Sequence, residues 1–249
     1  MVILETVGLS HRFSDGTRAL NKVSLSFSEG ELTVITGANG SGKTTLLKHF
    51  NGLLFPETGT VTVCGEDVAK NTLLARKNVG MVFQDPDSQI VGETVYDDVA
   101  FGPENLALER AEIDRRVQRA LCDVELSGFE EKNPHALSGG EKRRLAVAGV
   151  LAMHPKILVM DEPFSNLDFS GACKLLEQIL RLHDEGRTII ITTHDLEKII
   201  FHARRLVVMD RGEVAVDDIP EKVLPDIQQY GVRPPCSVLL GRGLQPWEL

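Results

Sequence analysis

The residues from Gly37 to Thr44 read GANGSGKT, which fits the spacing G-x-x-x-x-G-K-[ST] of a phosphate-binding loop. An apolar run, Leu32–Thr36, precedes this loop, and a helical pattern, Thr44–Asn51, follows it. Glycines let backbone N–H groups turn inward around phosphate oxygens, and the start of a helix adds a positive dipole end. The sequence therefore predicts a nucleotide-phosphate site whose residues are Asn39, Gly40, Ser41, Gly42, Lys43, Thr44 and Thr45.

Within this loop, three side chains have separate expected roles toward ATP and Mg²⁺. Lys43 is expected to reach the β- and γ-phosphates, and the Thr44 hydroxyl is expected to ligate Mg²⁺. Thr45 can contact the α-phosphate. The alternative is a chance glycine-rich turn, which the strand before the loop and the helix after it make a poor explanation.

Two adjacent carboxylates follow a second apolar run, Ile157–Met160. At the carboxyl end of a strand, side chains face the ligand crevice of an α/β sheet. Asp161 is therefore expected to hold the Mg²⁺ shell, and Glu162 is expected to orient or deprotonate an attacking water. By itself such a pair is more often a solvated strand end, and only the earlier phosphate loop favours the catalytic interpretation.

The segment Leu137-Ser138-Gly139-Gly140-Glu141 predicts the start of a helix. Ser138 followed three residues later by Glu141 forms a capping box. Gly139 and Gly140 would leave backbone N–H groups exposed at the helix start, which makes an anion site. An ordinary helix cap is the alternative.

Taken in order, these motifs resemble the ATP-binding subunits of ABC transporters. Leu137–Glu141 is similar to the signature motif of that family, and Gln84 stands in the position of its Q-loop. Ser165–Asp168 is similar to the D-loop, His194 to the switch histidine, and Phe13 to the aromatic residue that stacks on adenine. The resemblance covers about residues 2–216. Ala38, Phe13 and Lys142 depart from the commonest forms without removing a catalytic group, so an active ATPase is expected.

The resemblance implies a dimer in which each ATP lies between the phosphate loop of one subunit and the signature of the other. Ser138, Gly139 and Gly140 would then serve the γ-phosphate held by the opposite subunit, and Asp168 would bridge to the partner's phosphate loop. Glu162, His194 and Gln84 would be the catalytic residues, with Gln84 also linking Mg²⁺ to the neighbouring helices. The second ATPase subunit is an identical copy or a paralogue.

Four of these residues also have ordinary structural readings. A lone histidine such as His194 is more often buried and structural. Gln84 is otherwise a surface side chain, Asp168 a helix N-cap and Phe13 a core residue.

Two further segments resemble the A-components of energy-coupling factor (ECF) importers, including the cobalt-type CbiO and biotin-type ATPases. They are Gln84–Gln89 and Asp98–Asn105. In that family this region forms a groove for coupling helices of a transmembrane T-component, and a separate S-component binds a metal ion or a vitamin. Several carboxylates make the region acidic, so it could receive a partner's arginines, or it is simply a solvated acidic face. They are Asp85, Asp87, Glu93, Asp97 and Asp98.

The elements that must position these residues alternate between strands and helices, which predicts an α/β fold. Expected strands are Val2–Val7, Val23–Phe27, Leu32–Thr36, Thr60–Cys64, Val79–Phe83, Ile157–Met160, Thr188–Thr192 and Leu206–Met209. The continuous apolar runs are typical of parallel strands buried on both faces. Expected helices are Thr44–Asn51, Val95–Ala100, Ala111–Val124, Gly140–Met153, 169–185 and 195–203.

These elements predict a P-loop NTPase core with a mixed, mainly parallel sheet, an N-terminal antiparallel β subdomain and a helical insert. Residues 1–85 and 154–216 are assigned to the ATP-binding core, and 86–153 to the helical signature subdomain. Residues 217–249 are expected to form a C-terminal tail with a short helix and an irregular strap.

Composition narrows the class of protein. The 249 residues hold 27 lysines and arginines against 36 acids, a net charge of −9, which argues against nucleic acid as a partner. No signal-peptide pattern opens the chain, and no apolar run reaches the ~18 residues needed to cross a bilayer. Together with these observations, the resemblance to ABC transporter ATPases implies a peripheral subunit on the cytoplasmic face of the membrane.

Three other classes of ATP-binding protein share parts of this motif set. The ATPase of another ABC importer or exporter stays open. A soluble repair ATPase would carry a coiled coil between Thr44 and Leu137, where no heptads occur. A non-hydrolysing regulator is disfavoured by Glu162 and His194.

Overall fold

The computed structural model describes residues 1–247 and contains ten strands and eight α-helices within them. The strands are β1 Val2–Arg12, β2 Arg18–Ser28, β3 Leu32–Thr36, β4 Thr58–Val63, β5 Glu66–Asp67, β6 Val79–Val82, β7 Ile157–Asp161, β8 Thr188–Thr192, β9 Arg205–Asp210 and β10 Glu213–Asp218. The helices are α1 Lys43–Phe50, α2 Thr72–Asn78, α3 Val95–Asn105, α4 Arg110–Asp123, α5 Gly139–Leu151, α6 Phe169–Asp184, α7 Pro220–Val223 and α8 Cys236–Leu239.

A six-stranded sheet with the order β10-β9-β3-β8-β7-β6 forms the centre of the molecule. Strands β9 to β6 run parallel, and β10 joins the edge antiparallel to β9. Alternate residues of one strand enter two different cores: Leu158 and Met160 belong to one, and Ile157 and Val159 to the other. Burial on both faces explains the continuous apolar runs, and the predicted mainly parallel P-loop fold is confirmed.

The second sheet is antiparallel, with the order β2-β1-β4-β5. Its inward side chains, such as Leu4 and Phe27, share one core with Leu46 and Phe50 of α1. The predicted N-terminal β subdomain is thus present, with β1 and β2 longer than expected. The helix after the phosphate loop is packed between the two sheets through this shared core.

Helices α3, α4 and α5 follow one another between β6 and β7 and pack together. Thr94 and Asp97 form a reciprocal capping box at the start of α3. Strand β10 runs past residue 216. The division into core, helical subdomain and tail at the boundaries given above stays a prediction.

The helix predicted over 195–203 is wrong. This stretch consists of turns and a short 3₁₀ segment, Ile200–His202. The Thr193 hydroxyl accepts from the Asp195 N–H, and the Asp195 carboxylate accepts from the Glu197 N–H. Such local side-chain bonds compete with helical hydrogen bonds. No helix within the described residues combines the length and apolar character needed to cross a bilayer.

Candidate active site

The sheet brings the predicted residues together because four neighbouring parallel strands end at one edge. Asp161 at the end of β7 lies opposite Thr192 of β8, and Thr192 lies opposite Ile35 of β3. Gln84 follows β6 on the other side of β7. The phosphate loop, the two acids, the Q-loop glutamine and the segment with His194 therefore leave the sheet side by side.

Sterics inside the chain dictate two glycines of the phosphate loop. Gly37 has φ +146°, and a Cβ there would lie 2.1 Å from the Met209 carbonyl oxygen. Gly42 has φ +103°, and a Cβ there would lie 2.6 Å from the Ala19 carbonyl oxygen. Only glycine can occupy these positions without displacing the backbone of a neighbouring segment.

Lys43 is buried at the first residue of α1, and its ammonium group is folded back onto the loop. Nζ donates to the carbonyl oxygens of Gly37 at 2.8 Å and Ala38 at 3.0 Å. Burial lowers the pKa of Lys43, while the nearby carboxylates of Glu162 and Asp161 raise it. The positive charge is therefore held beside two negative charges in a desolvated place.

Asp161 accepts hydrogen bonds from two hydroxyls at the sheet edge. Thr44 Oγ1 donates to Oδ2 at 2.7 Å, and Thr192 Oγ1 donates to Oδ1 at 2.5 Å. The carboxylate is thus fixed from the neighbouring strand β8 and from the start of α1, which follows the phosphate loop. Thr192 was not predicted, although a threonine ending the apolar run of β8 was the available signal.

Glu162 has a left-handed backbone with φ +47°, which is unfavourable for a side chain with a Cβ. Its N–H donates to the Thr192 carbonyl at 2.9 Å, which holds the turn. One carboxylate oxygen, Oε1, accepts from the His194 backbone N–H at 3.0 Å and from His194 Nδ1 at 2.8 Å. Strained residues of this kind cluster at functional sites.

An open cleft of about 490 Å³ collects most of the predicted site residues. Its lining contains Phe13, Asn39, Gly40, Ser41, Gly42, Lys43, Thr44, Thr45, Gln84, Asp161, Glu162 and His194. Thr17, Arg18 and Ala19 also line it and were not predicted. Ser138, Gly139, Gly140 and Asp168 are absent from this lining within the described part of the chain.

Phe13 lies at the turn between β1 and β2 and is partly exposed at the cleft. Its N–H donates to the Thr17 carbonyl at 2.9 Å, which closes the turn. The ring meets His11 edge to face, with centroids 5.0 Å apart. Core packing is therefore not the role of Phe13.

The signature segment forms the predicted helix cap at the start of α5. The Ser138 side chain accepts from the Glu141 N–H at 3.3 Å, and the Ser138 N–H donates to Glu141 Oε2 at 2.7 Å. Apart from the adjacent residues and the backbone of α5 itself, a Cβ at Gly139 would meet nothing within 4 Å, and one at Gly140 would come no closer than 3.9 Å to another atom. Nothing in the described part of the chain requires glycine at these two positions.

Asp168 is exposed and caps α6 by accepting from the Gly171 N–H at 2.8 Å. The ordinary N-cap reading of this residue is therefore correct within the single chain. Two residues earlier, Asn166 has φ +60° and is also exposed.

A second, more apolar groove of about 360 Å³ lies between α3, α5 and the edge strand β6. Leu53, Val91 and Phe101 line it and are 43%, 62% and 54% exposed, which is unusual for large apolar side chains. Gln89 closes the edge of β6: its Oε1 accepts from the Phe83 N–H and its Nε2 donates to the Met81 carbonyl.

The acidic residues expected in this region are mostly engaged elsewhere. Asp97 belongs to the capping box of α3, Asp85 caps a 3₁₀ turn, and Asp87 pairs with Lys142 at 2.6 Å. Asp98 alone of the five acids lines the groove, and it accepts from the Val91 and Gly92 N–H groups. Burial raises the pKa of Asp98, while these two N–H groups lower it.

A sequence profile described as ABC transporter matches residues 20–165, more than half of the chain. The chain belongs to the ABC transporter family. As a member of its ATPases, it binds nucleotide and hydrolyses ATP in transport.

Two curated relatives cover most of this ABC ATPase. The energy-coupling factor transporter ATP-binding protein EcfA of Methanococcus maripaludis is 44% identical over 229 residues, which are 91% of this chain and 82% of the relative. A putative ABC transporter ATP-binding protein of Halobacterium salinarum is 48% identical over 233 residues, covering 94% of this chain and 100% of the relative.

Solved ABC cassettes share the fold. The cbiO1 protein from Clostridium perfringens, part of the ABC transporter complex cbiONQ, is 38% identical with a TM-score of 0.81, covering 92% of each chain. A dimeric ATP-binding cassette in a post-hydrolysis state, bound to ADP and Pi, is 28% identical with a TM-score of 0.79, covering 87% of this chain and 98% of the other.

Proposed function

We propose that this ABC ATPase powers an ECF-type importer, and that two such subunits close over ATP. The observation that carries the dimer is the division of the site. The cleft holds the phosphate loop and the catalytic acids, while Ser138, Gly139 and Gly140 lie outside its lining. The relatives named EcfA support the ECF class.

The residues of the cleft fit ATP and Mg²⁺. Ser41 Oγ is buried without a hydrogen-bond partner within the described residues, so it is free for a phosphate oxygen. The Thr44 hydroxyl and the Asp161 carboxylate lie 2.7 Å apart and offer the oxygen ligands that Mg²⁺ prefers. Thr44, Asp161 and Gln84 would hold the ion, which neutralises phosphate charge when bound. Lys43 would exchange its two carbonyl partners for the β- and γ-phosphates, and Thr45 would contact the α-phosphate.

Glu162 is the proposed general base. Its carboxylate would take a proton from water as the water oxygen bonds to the γ-phosphorus and the bond to the β-phosphate oxygen breaks. The products are ADP and phosphate. His194, bonded to Glu162 through Nδ1 and with its side chain 59% exposed, would contact the γ-phosphate and the same water.

The second subunit would supply what the cleft lacks. The start of α5 offers the Ser138 hydroxyl and the N–H groups of Gly139 and Gly140 to the γ-phosphate of the opposite subunit. Asp168, exposed on the same chain, would bridge to the partner's phosphate loop. Phe13, at the turn between β1 and β2, would stack on adenine.

Glu162→Gln tests the dimer. The amide cannot accept the proton, so we expect ATP hydrolysis to fall about 100-fold or more. ATP with Mg²⁺ should then hold two subunits together, which light scattering would detect as a doubling of mass. A Glu185→Gln variant, changed at the exposed end of α6, should hydrolyse ATP normally. A Glu162→Gln protein that stays monomeric with ATP and Mg²⁺ would refute the proposed dimer.

The apolar groove is the proposed docking site for a transmembrane T-component, which would hold the subunit at the cytoplasmic face of the membrane. Its support is the three exposed apolar side chains, Leu53, Val91 and Phe101, together with the nearby Asp98. An amphipathic coupling helix could bury them as helix-in-groove recognition does. Charge reversal of Asp97 or Asp98 would disturb the local structure, so it is a poor test of docking.

Phe101→Arg is the sharper test. It places a charge in the groove without removing a hydrogen bond of the Phe101 side chain, and we expect at least a tenfold loss of affinity for the membrane partner. Phe201→Arg is the matched control, because Phe201 is 41% exposed and lies outside the groove lining. Co-purification of both variants with the native membrane complex would compare them. Equal recovery would contradict docking at this groove.

The proposed cargo is a metal ion such as cobalt or nickel, or a vitamin such as biotin, bound by a separate S-component. Affinity purification from the native membrane with mass spectrometry tests this class. A small T-component and an S-component should come along. A large permease instead would assign the ATPase to another type of ABC importer or exporter.

A further inference from the structure

Arg143 is an almost fully buried residue of the signature helix α5, with 3% of its surface exposed. Nη1 donates to the Phe83 carbonyl at 2.7 Å, and Nη2 donates to the Gln84 carbonyl at 2.6 Å. A longer bond of 3.5 Å joins Nη2 to the Ser165 carbonyl. One guanidinium group therefore connects three segments: the signature helix, the segment of Gln84 and the segment before Asp168.

This placement is costly for a cation. No carboxylate oxygen within residues 1–247 lies within 4.0 Å of a guanidinium nitrogen of Arg143, so its nearest partners are backbone carbonyls. Burial lowers the pKa of Arg143, while the more distant Asp85 and Asp161 raise it. If this position only needed a side chain that fills space, an apolar residue of similar volume would stabilise the fold equally well or better.

The planar fork of arginine suits this task, because it can span two neighbouring carbonyls in a fixed geometry. The same peptide segment is held from its other side, where Gln89 Oε1 accepts from the Phe83 N–H at 3.0 Å. Arg143 and Gln89 thus fix the main chain at the point where the Gln84 side chain enters the cleft. Lys142 adds a second link between α5 and this region by its ion pair with Asp87.

We propose that Arg143 is a positioning residue for ATP hydrolysis, which acts by holding Gln84 in the cleft and tying it to the signature helix. The proposal rests on the role in Mg²⁺ and water binding proposed above for Gln84. Because Ser138 caps the same helix, displacement of Arg143 would also weaken the link between the cleft of this chain and the helix start proposed to bind the γ-phosphate of the second subunit.

Arg143→Gln should release the Gln84 segment. Amide hydrogen exchange of a peptide spanning residues 82–90, measured without nucleotide, should become about tenfold faster. The rate constant kcat should fall about tenfold, and half-saturation should need more Mg²⁺. Arg143→Lys, which keeps the charge but has a single ammonium for two carbonyls, should show smaller changes of the same kind. It also serves if Arg143→Gln does not fold.

The matched control is Arg187→Gln. Arg187 also donates to a backbone carbonyl, that of Pro155 at 2.8 Å, but it lies at the amino ends of the strands, whereas the cleft lies at their carboxyl ends. Exchange of the 82–90 peptide, kcat and the Mg²⁺ requirement should all stay unchanged in this variant. Equal effects in both variants would show general destabilisation and would overturn the proposal.

A double-mutant cycle with Gln84→Ala separates the two hypotheses. If Arg143 acts through Gln84, the double variant should be no slower than the slower single variant. Additive losses would overturn the role of Arg143 while leaving that of Gln84 intact. An unchanged Arg143 variant beside a slow Gln84→Ala variant would do the same. A fully active Gln84→Ala variant would instead refute the role proposed for Gln84, and the role of Arg143 with it.

Discussion

The molecule has two glycine-rich helix starts suited to phosphate, and their glycines differ in what surrounds them. In the phosphate loop, a Cβ at Gly37 or Gly42 would collide with a backbone carbonyl of the same chain. At the start of α5, Cβ atoms at Gly139 and Gly140 would meet open space or ordinary contacts. The first helix start is enclosed by its own fold, while the second is left open.

The difference separates two reasons for glycine. Gly37 and Gly42 are required by packing and by positive φ angles, so the structure of a single chain accounts for both glycines. Gly139 and Gly140, the first two residues of α5, have neither reason within the described part of the chain. We propose that these two glycines allow a close approach by a ligand or by another subunit.

Lys43→Ala should break the enclosed site with the largest effect. The variant removes the buried cation that we expect to meet the β- and γ-phosphates. ATP affinity should fall by about 100-fold, or roughly 2.8 kcal/mol, measured by isothermal titration calorimetry. Lys48→Ala, in the last turn of the same helix and outside the cleft lining, should bind ATP normally. Unchanged affinity in Lys43→Ala would count against the phosphate-loop assignment.

Gly140→Ala should break the open site without harming the fold. The new Cβ would come no closer than 3.9 Å to Arg144, so the free energy of unfolding should stay the same or rise by up to ~1 kcal/mol. In the closed dimer this methyl group would stand between the N–H groups and the γ-phosphate. ATP hydrolysis should therefore fall about tenfold, which corresponds to about 1.4 kcal/mol of barrier.

Gly149→Ala is the control for this prediction, because it makes the same substitution near the other end of α5. A Cβ there would lie 3.8 Å from the Asp98 carbonyl oxygen, an ordinary contact. Hydrolysis by this variant should be normal. If Gly140→Ala hydrolyses ATP equally well, no ligand approaches the start of α5 closely, and the comparison loses its functional meaning.

Local signals explain how much of the fold and site could be predicted. The spacing in residues 37–44 and the capping box of Ser138 and Glu141 are short-range patterns, so the sequence alone identifies them. The apolar runs of β7 and β8 predict buried parallel strands, and such strands end at a shared edge. Asp161, Glu162 and His194 could therefore be placed together in advance.

Long-range hydrogen bonds explain what could not be predicted. Arg143 donates to two carbonyl oxygens 59 and 60 residues away, and no sequence pattern near Arg143 indicates these partners. Asp98 belongs to an acidic stretch, yet it is buried against the Val91 and Gly92 N–H groups. In the predicted helix 195–203, the local hydrogen bonds of Thr193 and Asp195 compete with helix formation.

Glu141→Gln should have the smallest effect of these substitutions. It changes a residue of the capping box of α5 and leaves the glycines of the proposed anion site unchanged. The bond from the Ser138 N–H lowers the pKa of Glu141 from its ordinary value of 4.5. A depressed carboxyl pKa stabilises the fold above the unfolded-state value, and this contribution disappears as the pH falls through the lower folded-state value. A glutamine can accept the same bond at every pH.

Thermal unfolding of Glu141→Gln at pH 7 should therefore change little, while the part of the acid destabilisation that comes from Glu141 should vanish. Glu131→Gln, at an exposed position of the loop before the signature, should retain it. A large loss of stability at pH 7 would show that the charge of Glu141, rather than its hydrogen bond, maintains the start of α5.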